Sequence, residues 1–188
     1  MHYAVSDFVL DIVQNAIEAK SSLVTVDIDE DEKLTVCIGD NGAGMSGEDL
    51  LKVRDPFYTD GSKHDKRRTG LGLPFVEQAA RAAGGEFDIR SEEGTGTSVF
   101  FTFDLSNIDC PPLGDLASTA VAMMLFDGDY ELLFHRTSPS GDYSVSRHQL
   151  VEMLGPLKEA ATANLVRKFF KSQEEETVRQ CDLNVFCE

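Results

Sequence analysis

The hydrophobic period of this chain switches from that of a helix to that of a strand twice within its first 104 residues, each time in the same order. Val5, Phe8, Val9, Ile12, Val13, Ala16 and Ile17 recur at the i, i+3, i+4 spacing, which predicts a helix over Val5–Lys20. Ser6 is its expected N-cap, with Asp7 in the first turn. Leu23–Asp29 and Leu34–Ile38 then alternate apolar and polar residues, as half-buried strands do, around the polar turn Asp29–Lys33. A glycine-bearing loop and a long irregular stretch follow. Pro74 then opens a second helix to about Ala83, stopped by Gly84-Gly85. Two further strands, Glu86–Arg90 and Thr97–Asp104, flank a turn at 92–96. The order helix, hairpin, loop, helix, hairpin predicts an α+β sandwich: a mixed, mostly antiparallel sheet with helices on one face.

The pattern changes at Cys110-Pro111-Pro112-Leu113-Gly114, which divides residues 1–106 from a C-terminal α+β extension, 107–188. In the extension, Asp115 is placed to cap a helix reaching Phe126. Tyr130–Arg136 and Tyr143–Arg147 make a hairpin around Ser138–Gly141. Helices are expected over His148–Leu154 and from Leu157 to about Ser172, with the last dozen residues frayed. Three roles are open to this extension: a dimerisation element giving a homodimer, a platform for a partner, or a cap that completes the sheet of the first domain.

Composition removes several classes of partner. With 17 Lys and Arg against 33 Asp and Glu, the net charge of −16 repels nucleic acid and anionic membranes. No run of about 18 uncharged apolar residues is present to span a bilayer. The N-terminus lacks the regions of a secretory signal. The four cysteines (Cys37, Cys110, Cys181, Cys187) form no C-x-x-C pair, so free thiols and a cytoplasmic location are expected.

Three segments carry chemistry. On the first helix Asp7, Asp11, Asn15 and Glu18 form a polar stripe beside the apolar face, with Asn15 at its margin. An amphipathic helix shows the same stripe as its wet side, so the period alone assigns no role. The loop Asp40-Asn41-Gly42-Ala43-Gly44-Met45 follows a strand. Its carboxylate can accept from an exocyclic amine, and its glycines let a ligand approach closely. Thr69-Gly70-Leu71-Gly72-Leu73 leads into the Pro74 helix, whose free N–H groups and dipole favour an anion. Immediately upstream lies the densest basic cluster, Lys63-His64-Asp65-Lys66-Arg67-Arg68, on a loop long enough to act as a cationic lid.

In order and spacing these segments resemble the GHKL ATPase superfamily, the Bergerat fold shared by gyrase, Hsp90, histidine kinases and MutL. Asp11-Ile-Val-Gln-Asn15-Ala-Ile-Glu-Ala19 resembles the N box and Asp40–Met45 the G1 box. Asp55-Pro-Phe57-Tyr-Thr59 resembles the F box of histidine kinases. Gly70–Leu73 resembles the G2 box, and Gly94-Thr-Gly96-Thr97 the last glycine motif. The resemblance covers about 100 residues and implies ATP and Mg²⁺ as ligands. By it, Asn15 holds the metal, and Asp40 binds the adenine amino group with Thr97 in support. Gly42 and Gly44 line the base pocket, and the backbone from Gly70 through Leu71 and Gly72 to Leu73 wraps the phosphates. Met45 and Leu73 either pack on the purine or belong to the core. Lys63, Lys66, Arg67 and Arg68 are the lid candidates.

Two departures shape the expected function. Asp11 stands where the hydrolysing members carry Glu as general base. The carboxylate is right, but its reach is shorter by one methylene. Met1 lies a few residues before the N box, and none of His2, His64, His135 or His148 sits in the context of a phospho-acceptor. The expectation is a stand-alone module that transfers phosphate to, or regulates, a separate protein partner. A slow MutL- or Hsp90-style ATPase switch and a non-catalytic ATP-sensing module are the alternatives.

Overall fold

The computed structural model describes residues 4–53 and 72–184, with side chains through Thr177. Helix α1 (Val5–Glu18) leads into the hairpin β1 (Leu23–Glu30) and β2 (Lys33–Asp40), followed by a short α2 (Gly47–Val53). Helix α3 (Gly72–Ala82) precedes the hairpin β3 (Phe87–Glu92) and β4 (Gly96–Asp104). Helix α4 (Leu116–Leu125), strands β5 (Glu131–Ser138) and β6 (Gly141–Ser146), and helices α5 (Arg147–Leu154) and α6 (Ala160–Asn184) complete the chain. The six strands form one sheet in the order β3-β4-β2-β1-β5-β6. Every pairing is antiparallel except that of β1 with β5.

Alternation in the strands explains the layering. Val24, Val26 and Ile28 of β1 and Leu34, Val36 and Ile38 of β2 are buried, while Thr25, Asp27 and Asp29 turn to the opposite face. The buried face carries the helices: α3 touches α1, α1 touches α4, and α4 touches α6. The architecture is the expected α+β sandwich.

Residues beyond the Pro111-Pro112 segment build on the same sheet. Strand β5 runs alongside β1 from Leu23↔Glu131 to Asp29↔Thr137. Leu116, Ala120, Met123, Leu132, Phe134 and Phe170 enter the core that Val9, Val13 and Val36 occupy. Arg136 is also buried on this face, where it pairs with Glu30 at the β1 end and donates to the Thr137 carbonyl.

The start of α1 differs from expectation. The N-cap is Ala4, not Ser6, and the Asp7 carboxylate accepts from the Ala4 N–H at 2.9 Å. Ser6 lies within the helix and is buried beneath the linker. The Val5 and Ser6 N–H groups donate to the carbonyls of Pro112 and Leu113, at 2.9 and 3.0 Å. A main-chain strap thus satisfies donors that a side-chain cap would otherwise serve. Asp115 does cap α4, accepting from the Ser118 N–H at 2.9 Å. Helix α6 extends to Asn184 rather than fraying after about Ser172. Helix α2 has no buried residue and therefore no apolar periodicity to announce it. Among the described residues, no helix is long and apolar enough to cross a membrane.

Candidate functional site

The buried face of the sheet changes from apolar to polar across one step of register. Ile89, Val99, Ile38, Val26 and Phe134 lie side by side across five strands. Two residues along, the row reads Ser91, Thr97, Asp40, Val24 and Leu132. Side chains two apart on a strand share a face, so three polar groups stand together where an apolar row gives way, at the opposite end of the face from Arg136.

Asp40 is held at one oxygen. Its Oδ1 accepts from the Gly42 N–H at 2.7 Å and lies 2.9 Å from the Ser21 hydroxyl. The same hydroxyl lies 2.7 Å from the Ala16 carbonyl, so Ser21 shares one proton between two acceptors at the C-terminal end of α1. The loop after Asp40 folds back under main-chain bonds. The Ala43 N–H donates to the Ala19 carbonyl, and the Ala43 carbonyl accepts from Gly94, at 3.1 and 2.7 Å. Gly44, at φ 62°, turns the loop toward β3, where a Cβ would meet the Glu92 carbonyl oxygen at 2.0 Å. Gly96 is equally constrained: its φ is 128°, and a Cβ would lie 2.0 Å from the Asp40 carbonyl oxygen.

Asp11 occupies the other part of the site. A Cβ on Gly72, the first residue of α3, would lie 1.8 Å from Asp11 Oδ2. The carboxylate therefore rests against the opening turn of α3. A cleft of about 280 Å³ opens beside it, lined by Asp7, Leu10, Gln14 and Phe75 among others. Burial, and then the negative charge of Glu18, pushes the Asp11 carboxyl above its ordinary value. Asn15 is half-buried one helical turn beyond Asp11 on the same side of α1.

The raised Asp11 value has a consequence for stability. A carboxyl whose folded value exceeds the unfolded one opposes folding once it ionises. That cost is absent below the ordinary 3.8 and develops as pH rises through the folded value. Asp11→Asn should therefore melt at a higher temperature than the parent at neutral pH, and the gain should vanish in acid below 3.8. Thermal melts across this window check it; a lower melting temperature for the variant at neutral pH would contradict it.

The structure brings Asp40, Gly42, Gly44, Met45 and Thr97 together through the β2 loop and β4, sets Asp11 of α1 beside Gly72, and leaves Asn15 one turn farther along α1. Met45 and Leu73 pack against the core, and the Met45 N–H donates to Ser91 Oγ at 2.9 Å. Lys63, Gly70 and Leu71, with Lys66, Arg67, Arg68, the F-box segment and Cys187, lie outside the described residues, as does the side chain of Cys181. Sequence reading missed Ser21 and Ser91. Ser91 could have been found by counting: Phe87, Ile89 and Ser91 alternate onto the core face, and the tight turn brings Ser91 opposite Thr97.

The family model described as histidine kinase-, DNA gyrase B-, and HSP90-like ATPase matches residues 4–107, more than half of the chain. The chain belongs to this family. Among curated relatives, it is 37% identical over 100 residues to the histidine protein kinase DivJ of Caulobacter vibrioides, covering 51% of this chain and 17% of that protein. It is 34% identical over 97 residues to the sensor histidine kinase YxdK of Bacillus subtilis, covering 49% and 30%. With the sensor histidine kinase WalK of the same organism it shares 36% over 102 residues, covering 48% and 16%. The chain thus spans less than a third of the length of these relatives. A crystal structure of the N-terminal domain of a DNA repair protein superposes with a TM-score of 0.53 at 11% identity, over 82% of this chain and 57% of that one. That likeness is one of fold, and it reaches past residue 107 into the extension.

Proposed function

We propose that this chain is a nucleotide-driven module that binds Mg-ATP between α1, the β2 loop and the start of α3, and passes the γ-phosphate to, or regulates, a separate protein. The observation that carries the reading is the layout along α1. Its C-terminal end is tied to Asp40 through Ser21, and Asp11 meets Gly72 farther back. At helical rise, Asp11 and Ala19 are about 12 Å apart, a span suited to a nucleoside triphosphate laid along the helix. The base would then face Asp40 and Thr97, and the phosphates the first turn of α3, where helix N–H groups favour anions.

Asn15 offers an amide oxygen, the donor type Mg²⁺ accepts when substrate oxygens and water complete its shell. When bound, the ion would neutralise charge on the triphosphate. The chain's own contribution is positioning, plus a carboxyl at Asp11 whose raised affinity for protons suits it to take one from an attacking hydroxyl or water. The same carboxyl supports the second reading, a slow hydrolytic switch. Incubation with γ-labelled ATP separates them: label on a protein partner supports transfer, and free phosphate supports the switch. Saturable binding with neither leaves a sensing module.

Base reading has its own test. Asp40→Asn should weaken ATP binding at least tenfold, about 1.4 kcal/mol, the scale of a lost charge-assisted hydrogen bond. Equal affinities of the parent for ATP and GTP in calorimetry would refute the assignment of Asp40.

A further inference from the structure

We infer that Ser91, a residue outside the family's glycine motifs, decides which purine this site accepts by fixing the direction of the Thr97 hydroxyl proton. The inference rests on the proposed placement of the base at Asp40 and Thr97. Ser91 Oγ has three neighbours: the Gly96 carbonyl at 3.0 Å, the Met45 N–H at 2.9 Å and Thr97 Oγ1 at 2.8 Å. A hydroxyl carries one proton and two lone pairs. The Gly96 carbonyl can only accept, so it takes the Ser91 proton. The Met45 N–H can only donate, so it takes one lone pair. The remaining lone pair faces Thr97, which must donate its own proton to Ser91.

Thr97 is left with lone pairs alone for a ligand. Its register partner Asp40 is in a matching state: Oδ1 is engaged by the Gly42 N–H, and the ionised carboxylate can only accept. The polar row therefore presents acceptors and no donor. Such a row takes a 6-aminopurine, whose amine has two protons to give, and rejects a 6-oxopurine, whose oxygen would face lone pairs. Ser91 is a positioning residue in this scheme: it acts on the base only through Thr97. Removing its hydroxyl frees the Thr97 proton to rotate toward a 6-oxo group, because nothing else in the network claims it.

The test is calorimetric titration of the full chain with ATP and with inosine triphosphate, which differ at the 6-position. The parent should prefer ATP. Ser91→Ala should bring the ratio of the two affinities down about tenfold, chiefly by tightening inosine triphosphate. Ser91→Thr keeps the hydroxyl on a strand position that suits a β-branched residue, and should restore the ratio. Loss of affinity for both nucleotides in equal measure, with the ratio unchanged, would mean that Ser91 only supports the loop at Met45, and would overturn the inference. If Ser91→Ala does not fold by circular dichroism, Ser91→Cys, similar in shape and a weak hydrogen-bonding group, is titrated in its place, with the same two outcomes. A parent that binds both nucleotides equally would instead overturn the placement of the base, a failure that shows before any variant is made.

Discussion

A chain ending at Ser106 will not fold to a stable ATP-binding domain, although the family match itself ends at residue 107. Strand β1 would lose its partner β5 over the whole register from Leu23 to Asp29. Val24, Val26 and Ile28, now essentially inaccessible, would lose the neighbours that Leu132 and Phe134 supply. Helix α1 would lose the packing of α4 and, at its first turn, the carbonyls of Pro112 and Leu113. Each large apolar side chain returned to water costs about 1.5–3 kcal/mol, whereas a domain's whole stability is about 5–15 kcal/mol. Exposing four or five such groups is enough to exhaust it. The expected result is aggregation on expression or a melt without a cooperative transition, set against a cooperative melt for the full chain. A truncated protein that melts cooperatively and binds ATP like the parent would show that the extension is an accessory.

How much of this was legible beforehand depended on range. The helix and strand periods of residues 5–104 are local, and they gave the order of every element there except α2, which buries no residue. Asp40, Thr97, Asn15 and Asp11 stood out in the sequence because the resemblance rests on their spacing along the chain; the structure adds where their side chains lie. The parallel contact of β5 with β1 joins residues about a hundred positions apart, and no local pattern encodes it. The cap of α1 is invisible for a related reason. Ser6 and Asp7 look like a self-sufficient N-terminus, yet the donors there are met by main-chain oxygens from Pro112 and Leu113. Ser21 was hidden differently: it is a small polar residue after a helix, a commonplace in sequence. Only the folding of the loop brings Asp40 Oδ1 and the Ala16 carbonyl to its one hydroxyl.

Asp11→Asn should lower phosphoryl turnover by about 100-fold or more while ATP still binds, because it removes a proton acceptor without changing size. The contact with Gly72 gives a second, independent route to the same loss. A methyl group on Gly72 would fall 1.8 Å from Oδ2, and its nearest neighbours all belong to the Asp11 side chain. A carboxylate at the end of a side chain can rotate away where a backbone atom cannot. Gly72→Ala should therefore leave the fold intact and move only the group that matters, lowering turnover toward the Asp11→Asn level with little change in melting temperature. Gly96→Ala is the contrasting case. There the obstacle is the Asp40 carbonyl and the φ of 128° suits glycine alone, so the fold itself should weaken. Asp11→Glu lengthens the reach of the carboxylate and should raise hydrolysis if water is the nucleophile, whereas it should not do so if a partner's side chain is. Asn15→Ala should abolish Mg²⁺-dependent binding under either chemistry and serves as the control for an empty site. Steady-state phosphate release and transfer of label, measured on all five variants with ATP affinity determined in parallel, decide the matter. If Asp11→Asn and Gly72→Ala both turn over like the parent, Asp11 only packs against α3 and takes no part in the chemistry.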